Sequence, residues 1–538
     1  MDLNYLLLWF IGASCVMLLY RAVRARRAGW AVVCAFVLAL TALATALRPD
    51  AGGYVGGVAM ALLILVPLFG YRRAMRAMLQ QRYGTARRLA GVLRWLHPAD
   101  GWWQTPRLLR ALESGDLATI AATTDALSHH GTSRTGIGRV AAALLFRLNN
   151  QWEPLFRWIE TRLSPKELRR DPTMLALYLR CYGELGDPNG LAAACDRFRR
   201  ATDGEGMAAY RDTCRLMLFA FCGRRDLVER LFRGTLRLYP ESARRAWLAT
   251  ADMAQGDTAP AREALNAVLD SCDPLTAAGV RRRLDVALPV AAEVLTAESR
   301  QVLSRVEAEM EQEERYGVRA VAGRRAAYAT YALVALNLVA FGLEVAAGGS
   351  QCTRALYKLG ALLPTDVQAG QWWRLAAANF LHYGPLHLAV NMLALLFLGP
   401  FLEFALGRAR FLVAYLASGM GAMAVVVALV AGGALDEEIL VGASGCIMGL
   451  VGATTAVLLR GWARERARVA SRRLAMLLFL IAFQVVFDLA TPQVSLSAHL
   501  GGVLIGFAVA SVMKHRVAAL PHASPAMGHA AHAQGPAR

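Results

Sequence analysis

The stretch VGASGCIMGLVG at residues 441–452, read with AHLGGVLIG at residues 498–506, decides how this chain folds. In the first, Ser444 stands between Gly442 and Gly445 at the head of a long apolar segment, and Gly445 and Gly449 form a GxxxG pair. In the second, His499 heads another apolar segment and is followed by Gly502 and Gly506. Glycines so spaced let membrane helices bring their backbones together. A free serine is a poor nucleophile and needs a base within hydrogen-bond reach. Ser444 and His499 are therefore candidates for nucleophile and base inside a bilayer.

Composition agrees with a membrane setting. Of 538 residues, 56% are hydrophobic, with the apolar excess concentrated at the two ends. Residues 72–325 are rich in Arg, Glu and Asp and hold no apolar run of the roughly 20 residues needed to cross a bilayer, so they are expected to form a water-soluble domain. The net charge of +19 could indicate nucleic acid. Its arginines, however, crowd the ends of apolar segments: Arg21, Arg24, Arg26 and Arg27, then Arg72, Arg73 and Arg76, then those between 464 and 473. That is the positive-inside pattern, and no basic motif with interleaved aromatics points to a nucleic-acid partner. The nine cysteines are scattered without zinc-site spacing. They predict neither a disulfide framework nor a metal site, and a reducing compartment for the middle domain.

Three spans are predicted at residues 3–20, 29–47 and 53–70. Arginines follow the first span, whereas a secretory signal has its charge first. This span reads as a retained anchor with the N-terminus outside, which places the domain after Arg72 in the cytoplasm.

From Leu108 onward, apolar residues recur every three or four positions, as in helices. Small polar turns at Gly115, Asn150, Gly186, Gly223 and Gly256 interrupt them at intervals of 35, 36, 37 and 33 residues. That period is close to the ~34 of tetratricopeptide-type hairpins, and it predicts an α-solenoid-like domain with a protein or peptide partner. His129 and His130 lie near a polar turn and read as surface residues.

Six further spans are predicted at 326–347, 386–406, 411–430, 444–459, 474–490 and 498–512. Their arginine-bearing loops, 407–410 and 460–473, alternate with loops 432–438 and 491–497, which carry none. Residues 515–538, with His522, His529 and His532, read as a disordered cytoplasmic tail. The topology brings Ser444 and His499 to the outer ends of their spans. His387 and Asn391 in WRLAAANFLHYGPLHLAVN, residues 373–391, are four apart and share a helix face. Polar residues so placed are costly in lipid and usually functional or paired.

The set WR, HxxxxHxxxN, GASG and AHxxGxxxG, in this order, resembles the rhomboid intramembrane serine proteases. Trp373 and Arg374 match the first-loop motif, and His382, His387 and Asn391 match the second-span motif. Ser444 falls on the nucleophile, His499 on the base, and Gly502 and Gly506 on the close-packing glycines. Glu403 and Gly407 match the end of the second span. The resemblance covers about residues 326–514 and implies a six-helix core opening to the outside, set in an all-α membrane protein with three extra N-terminal spans. It also implies a serine–histidine dyad, an oxyanion hole from His387, Asn391 and the Ser444 backbone amide, a transmembrane protein substrate and no cofactor. Gly442, Gly445, Met448 and Gly449 are expected to support the site. Met448 is a departure: the family often has an aromatic ring there, against the histidine, and a soft thioether can pack on an imidazole instead.

The domains expected are 1–71, three spans; 72–325, a cytoplasmic helical domain; 326–514, the protease; and 515–538, the tail. The setting expected is a bacterial inner membrane. The family works without an aspartate, so Asp488 is expected to reach interfacial water and not to complete a triad. The alternative is a non-catalytic rhomboid-fold protein that binds clients or scaffolds the envelope, with the helical domain as adaptor.

Overall fold

The structure, a computed structural model, describes residues 3–24, 27–96, 103–129, 136–204, 207–317, 326–491 and 495–514. The expected tail with its three histidines, the side chain of His129 and all of His130 lie outside them. The chain is all-helical and forms two compact units, Met1–Ala308 and Glu309–Arg538.

In the first unit, Leu3–Arg24, Ala28–Leu47 and Gly52–Leu79 are long and apolar enough to cross a membrane. Small residues seat them against one another. A Cβ on Gly53 would fall 2.2 Å from the backbone oxygen of Asn4, and one on Gly56 would fall 2.3 Å from Thr41 Oγ1. Asn4 Oδ1 accepts from Gly53 N at 2.7 Å, and its amide donates to Pro49 O at 2.8 Å. The third helix contains a π-helical turn at Ala61–Leu65 and runs past the predicted end through Arg72, Arg73 and Arg76.

The turn-forming residues of the following region do what their spacing predicted. Gly115, Asn150, Gly186, Gly223 and Gly256 all have positive φ, the left-handed geometry that ends a helix. Each lies between the two helices of a hairpin. The third to fifth hairpins, for example, pair Pro172–Glu184 with Pro188–Phe198, Ala208–Phe221 with Arg225–Arg233, and Glu241–Gln255 with Thr258–Val268. The helix Pro274–Asp285 packs back on earlier hairpins. It does so through Asn150 Nδ2, which donates to Ala278 O at 3.2 Å, and through Arg283, which pairs with the buried Glu184 at 2.9 Å.

The second unit contains five helices long and apolar enough to span: Tyr328–Ala346, Pro385–Leu406, Arg408–Ala431, Ser444–Glu465 and Arg468–Leu489. The sixth expected span is the apolar helix Leu496–Val512, of 17 residues, about 26 Å at 1.5 Å per residue. Ser444–Glu465, the serine helix, is the core: 78% of its apolar window is buried, against 11% for Arg468–Leu489. It runs six residues beyond its predicted end at Leu459, because Arg460 donates to the carbonyls of Met513 and Ser511. The chain turns at Arg466, which has φ +50°.

Glu403 caps the Tyr328–Ala346 helix, accepting from Ala329 N at 3.1 Å and from Thr330 N and Oγ1 at 2.8 Å each. Four residues on, Gly407 at φ +85° separates Pro385–Leu406 from Arg408–Ala431. Glu403 thus ties Pro385–Leu406 to Tyr328–Ala346 through its side chain, and its carbonyl accepts from Gly407 N at 2.8 Å where the chain turns into the next helix.

Candidate active site

Ser444 is the first residue of the serine helix. The first N–H groups of a helix have no intrahelical acceptor, and the macrodipole is positive there. A nucleophile at that position sits beside unmet donors. The approach to it is held at three points. Leu440 exchanges backbone hydrogen bonds with Leu362 at 2.9 and 3.0 Å, Gly442 N donates to Ala378 O at 2.9 Å, and Glu437 accepts from Thr365 N at 2.8 Å.

The loop supplying these partners is tied together by Arg374, which is 4% exposed. Its guanidinium donates to Ala361 O at 2.8 Å, Tyr357 O at 3.0 Å and Gln371 Oε1 at 2.8 Å, and stacks on Tyr357. Trp373 stands half exposed, with its ring edge where a Cβ on Gly360 would be. The Trp-Arg pair thus shapes the loop that steers the chain into Ser444.

Glycine contacts join the serine helix to Leu496–Val512, the histidine helix. A Cβ on Gly502 would lie 2.3 Å from Gly445 O, and one on Gly506 would lie 2.0 Å from Gly449 O. Gly449 also faces Ser418, and Gly445 faces Ala422. The register sets Gly445 against Ala498: the built Cβ of Gly445 is 3.9 Å from Ala498 O. Ser444 and His499 are the adjoining residues, at the same end of the packed pair. Among the described residues no hydrogen bond joins them, and such bonds often tighten only with substrate bound. Ser444 is partly exposed, whereas His499 is buried.

His387 comes to the serine from another side. Gly442, at φ +133°, lies between them: its built Cβ is 2.8 Å from His387 Cε1, 3.0 Å from His387 Nε2 and 3.8 Å from Ser444 Oγ. Any side chain there would push the imidazole away, and the backbone conformation itself favours glycine. One turn further along, Asn391 is buried and its amide nitrogen has no hydrogen-bond partner among the described residues. Buried donors are normally satisfied, so this one is an unmet donor. His382 is fully buried and turned elsewhere: its N donates to Glu344 Oε1 at 2.8 Å, its Nδ1 is 3.1 Å from Phe380 O, and its ring lies edge-on to His387 at 5.2 Å. It braces His387. Met448 is buried in the core of the serine helix, one turn below Ser444.

Two residues were missed or misread in the sequence. Asp488 does not reach interfacial water: its side chain is fully buried, and Oδ2 lies 2.8 Å from His499 Nδ1. Gln484 donates to the other carboxylate oxygen at 2.8 Å. The available signal was a polar pair four residues apart on an otherwise apolar helix. Among the described residues no group of His, Cys, Asp and Glu is arranged to hold a metal.

These features define a polytopic integral membrane protein with a polar centre enclosed between glycine-packed helices. The Rhomboid domain family matches residues 369–516. The chain is similar to the putative rhomboid protease YdcA of Bacillus subtilis, with 34% identity over 26% of this chain and 67% of that protein. It is also similar to the rhomboid protease GluP of B. subtilis, with 32% identity over 34% of each chain. RHOMBOID-like protein 6, mitochondrial, of Arabidopsis thaliana shares 38% identity over 29% of this chain and 49% of its own length. No solved structure matches the chain. The chain belongs to the rhomboid family. It spans half or less of the length of most of the curated relatives it matches.

Proposed function

We propose that this chain is a serine endopeptidase that hydrolyses peptide bonds in or near transmembrane segments of membrane-protein substrates. Ser444 is the nucleophile and His499 the base. His387, Asn391 and the Ser444 backbone N–H receive the oxyanion. The substrate helix enters from the lipid, and a locally unwound stretch reaches Ser444. His499 takes the Ser444 proton as Oγ attacks the carbonyl carbon, and the carbonyl oxygen, now negative, faces the unmet Asn391 donor. His499 then protonates the leaving amine, and water repeats the sequence on the acyl-enzyme.

The observation that carries this reading is the convergence of Ser444 Oγ and the His387 ring on Gly442. A glycine with positive φ holds open the volume between a nucleophile and a donor. Residues 326–514 are the protease, opening to the outside of a bacterial inner membrane. Residues 1–71 supply three further spans, residues 72–325 are a cytoplasmic domain with a protein or peptide partner, and residues 515–538 are a tail.

The test is cleavage of a single-span model substrate by the full-length protein in liposomes. Wild type cuts it and Ser444→Ala, folded equally well, does not. Undiminished cleavage by Ser444→Ala overturns the assignment.

A further inference from the structure

The helix Arg468–Leu489 is the least buried of the spans in its unit, yet Asp488 near its end has no exposed side-chain surface. A carboxylate removed from water is costly unless each oxygen finds a partner. Both do. Oδ2 meets His499 Nδ1 at 2.8 Å, and Oδ1 accepts the Gln484 amide at 2.8 Å. Gln484 and Asp488 are one turn apart, so their helix presents a prearranged acceptor to the imidazole.

The hydrogen bond determines what His499 can do. A carboxylate only accepts, and its 2.8 Å contact with Nδ1 is shorter than the 3.4 Å from the Gln484 amide nitrogen to the same atom, which assigns the hydrogen to Nδ1 of His499. In a neutral imidazole Nε2 is then the free lone pair. The opposite tautomer would place a hydrogen on Nε2 and leave no base for the serine.

We infer that Asp488, held by Gln484, is a positioning residue that keeps His499 in the tautomer and ring orientation needed to deprotonate Ser444. This inference rests on the proposed protease function. When Oγ forms its bond to the carbonyl carbon, the serine proton moves to Nε2 and the carbonyl π pair moves to oxygen. The Nδ1 hydrogen stays on the ring, bonded to Asp488, which remains a carboxylate throughout. On collapse, the oxygen pair re-forms the carbonyl, the C–N bond breaks and the Nε2 proton leaves with the amine. Asp488 touches neither substrate nor the reacting atoms and acts through His499 alone.

The experiment uses the full chain in detergent micelles, a fluorophosphonate probe that reacts with activated serines, and a fluorogenic single-span peptide. Asp488→Asn keeps the shape and removes the charge. It is expected to slow probe labelling and kcat by about 10²-fold or more, with KM changed by less than about threefold and thermal unfolding unchanged. Asp488→Glu restores the carboxylate and is expected to recover roughly tenfold over Asp488→Asn.

Labelling and kcat of Asp488→Asn at the wild-type rate would overturn the inference, as would a change confined to KM. Should Asp488→Asn fail to fold, Gln484→Leu decides. It leaves the carboxylate in place and frees its orientation, and is expected to slow labelling about threefold or more; a wild-type rate overturns the inference. Ser444→Ala is the separating control, because labelling that survives it removes the protease function itself, whatever Asp488 does.

Discussion

Tyr316 donates its hydroxyl hydrogen to Glu465 Oε1 at 2.9 Å, and Glu465 is the last residue of the helix that Ser444 begins. Burial, and then this bond, push the Tyr316 hydroxyl up to about 12, so it stays a donor at any working pH. Arg315 reaches the other carboxylate oxygen at 3.2 Å, and Arg473 donates to Tyr316 O at 2.6 Å. The serine helix is thus anchored at the end opposite Ser444. Tyr316→Phe is expected to cost about 1–2 kcal/mol, read by thermal unfolding in detergent, while serine-probe labelling of the folded protein is unchanged.

Glycine packing makes a sharper prediction because glycines in this chain differ in what surrounds them. A Cβ on Gly506 meets a backbone oxygen at 2.0 Å, whereas one on Gly342 meets nothing within 4 Å. Gly506→Ala must part the serine and histidine helices. It is expected to cost about 1–3 kcal/mol and to lower cleavage at least about tenfold. Gly342→Ala, in an apolar helix with room to spare, is expected to be neutral or slightly stabilising. Equal unfolding temperatures for the two variants would refute the close contact.

Asn391 separates stability from catalysis. Its amide nitrogen has no partner at rest, so Asn391→Ala forfeits no hydrogen bond from that nitrogen in the resting protein. If the donor serves the oxyanion, kcat falls about 10²–10³-fold with the unfolding temperature held or raised. Loss of stability in step with activity would argue for a structural amide instead.

In the first unit, Glu184 is buried, with Arg283 at 2.9 Å and Arg180 at 3.0 Å. Burial alone raises its carboxyl, but Arg283 and then Arg180 outweigh that and hold it below the usual range. A carboxyl depressed by folding contributes stability that is complete above its unfolded value of about 4.3 and is lost as pH falls through the folded value. The helical hairpins should therefore show unchanged hydrogen-exchange protection from pH 7 down to about 5 and lose it below. Glu184→Gln leaves buried guanidinium groups without a counter-charge. It is expected to cost about 3–5 kcal/mol, read as lost protection in Pro172–Glu184 of the full-length protein.

Much of this was legible in the chain because the signals are local. The five turn residues from Gly115 to Gly256 announce helical hairpins, since left-handed geometry selects Gly and Asn wherever it recurs. Ser444 with its glycines, and His499 with Gly502 and Gly506, were legible for a related reason: glycine at fixed spacing is how two helices come close. The helix ends were less so. Charged residues at Arg460 and Arg464 marked a loop in the sequence, but the helix continues through them because Arg460 finds carbonyls near the end of the histidine helix.

The sequence by itself determined the all-helical membrane class and the hairpin period, and it singled out Ser444, His499 and Asn391 as the candidates on which the proposed function rests. Those follow from hydropathy, spacing and residue chemistry along one chain. Tertiary structure alone decided that Asp488 faces His499 and not water, that Tyr316 anchors Glu465 from 149 residues away, and that Leu362 pins the approach to Ser444. Such pairings depend on how each helix is rotated about its own axis. Interhelical contacts set that rotation, and glycine-to-backbone contacts such as Gly506 on Gly449 leave little freedom in it.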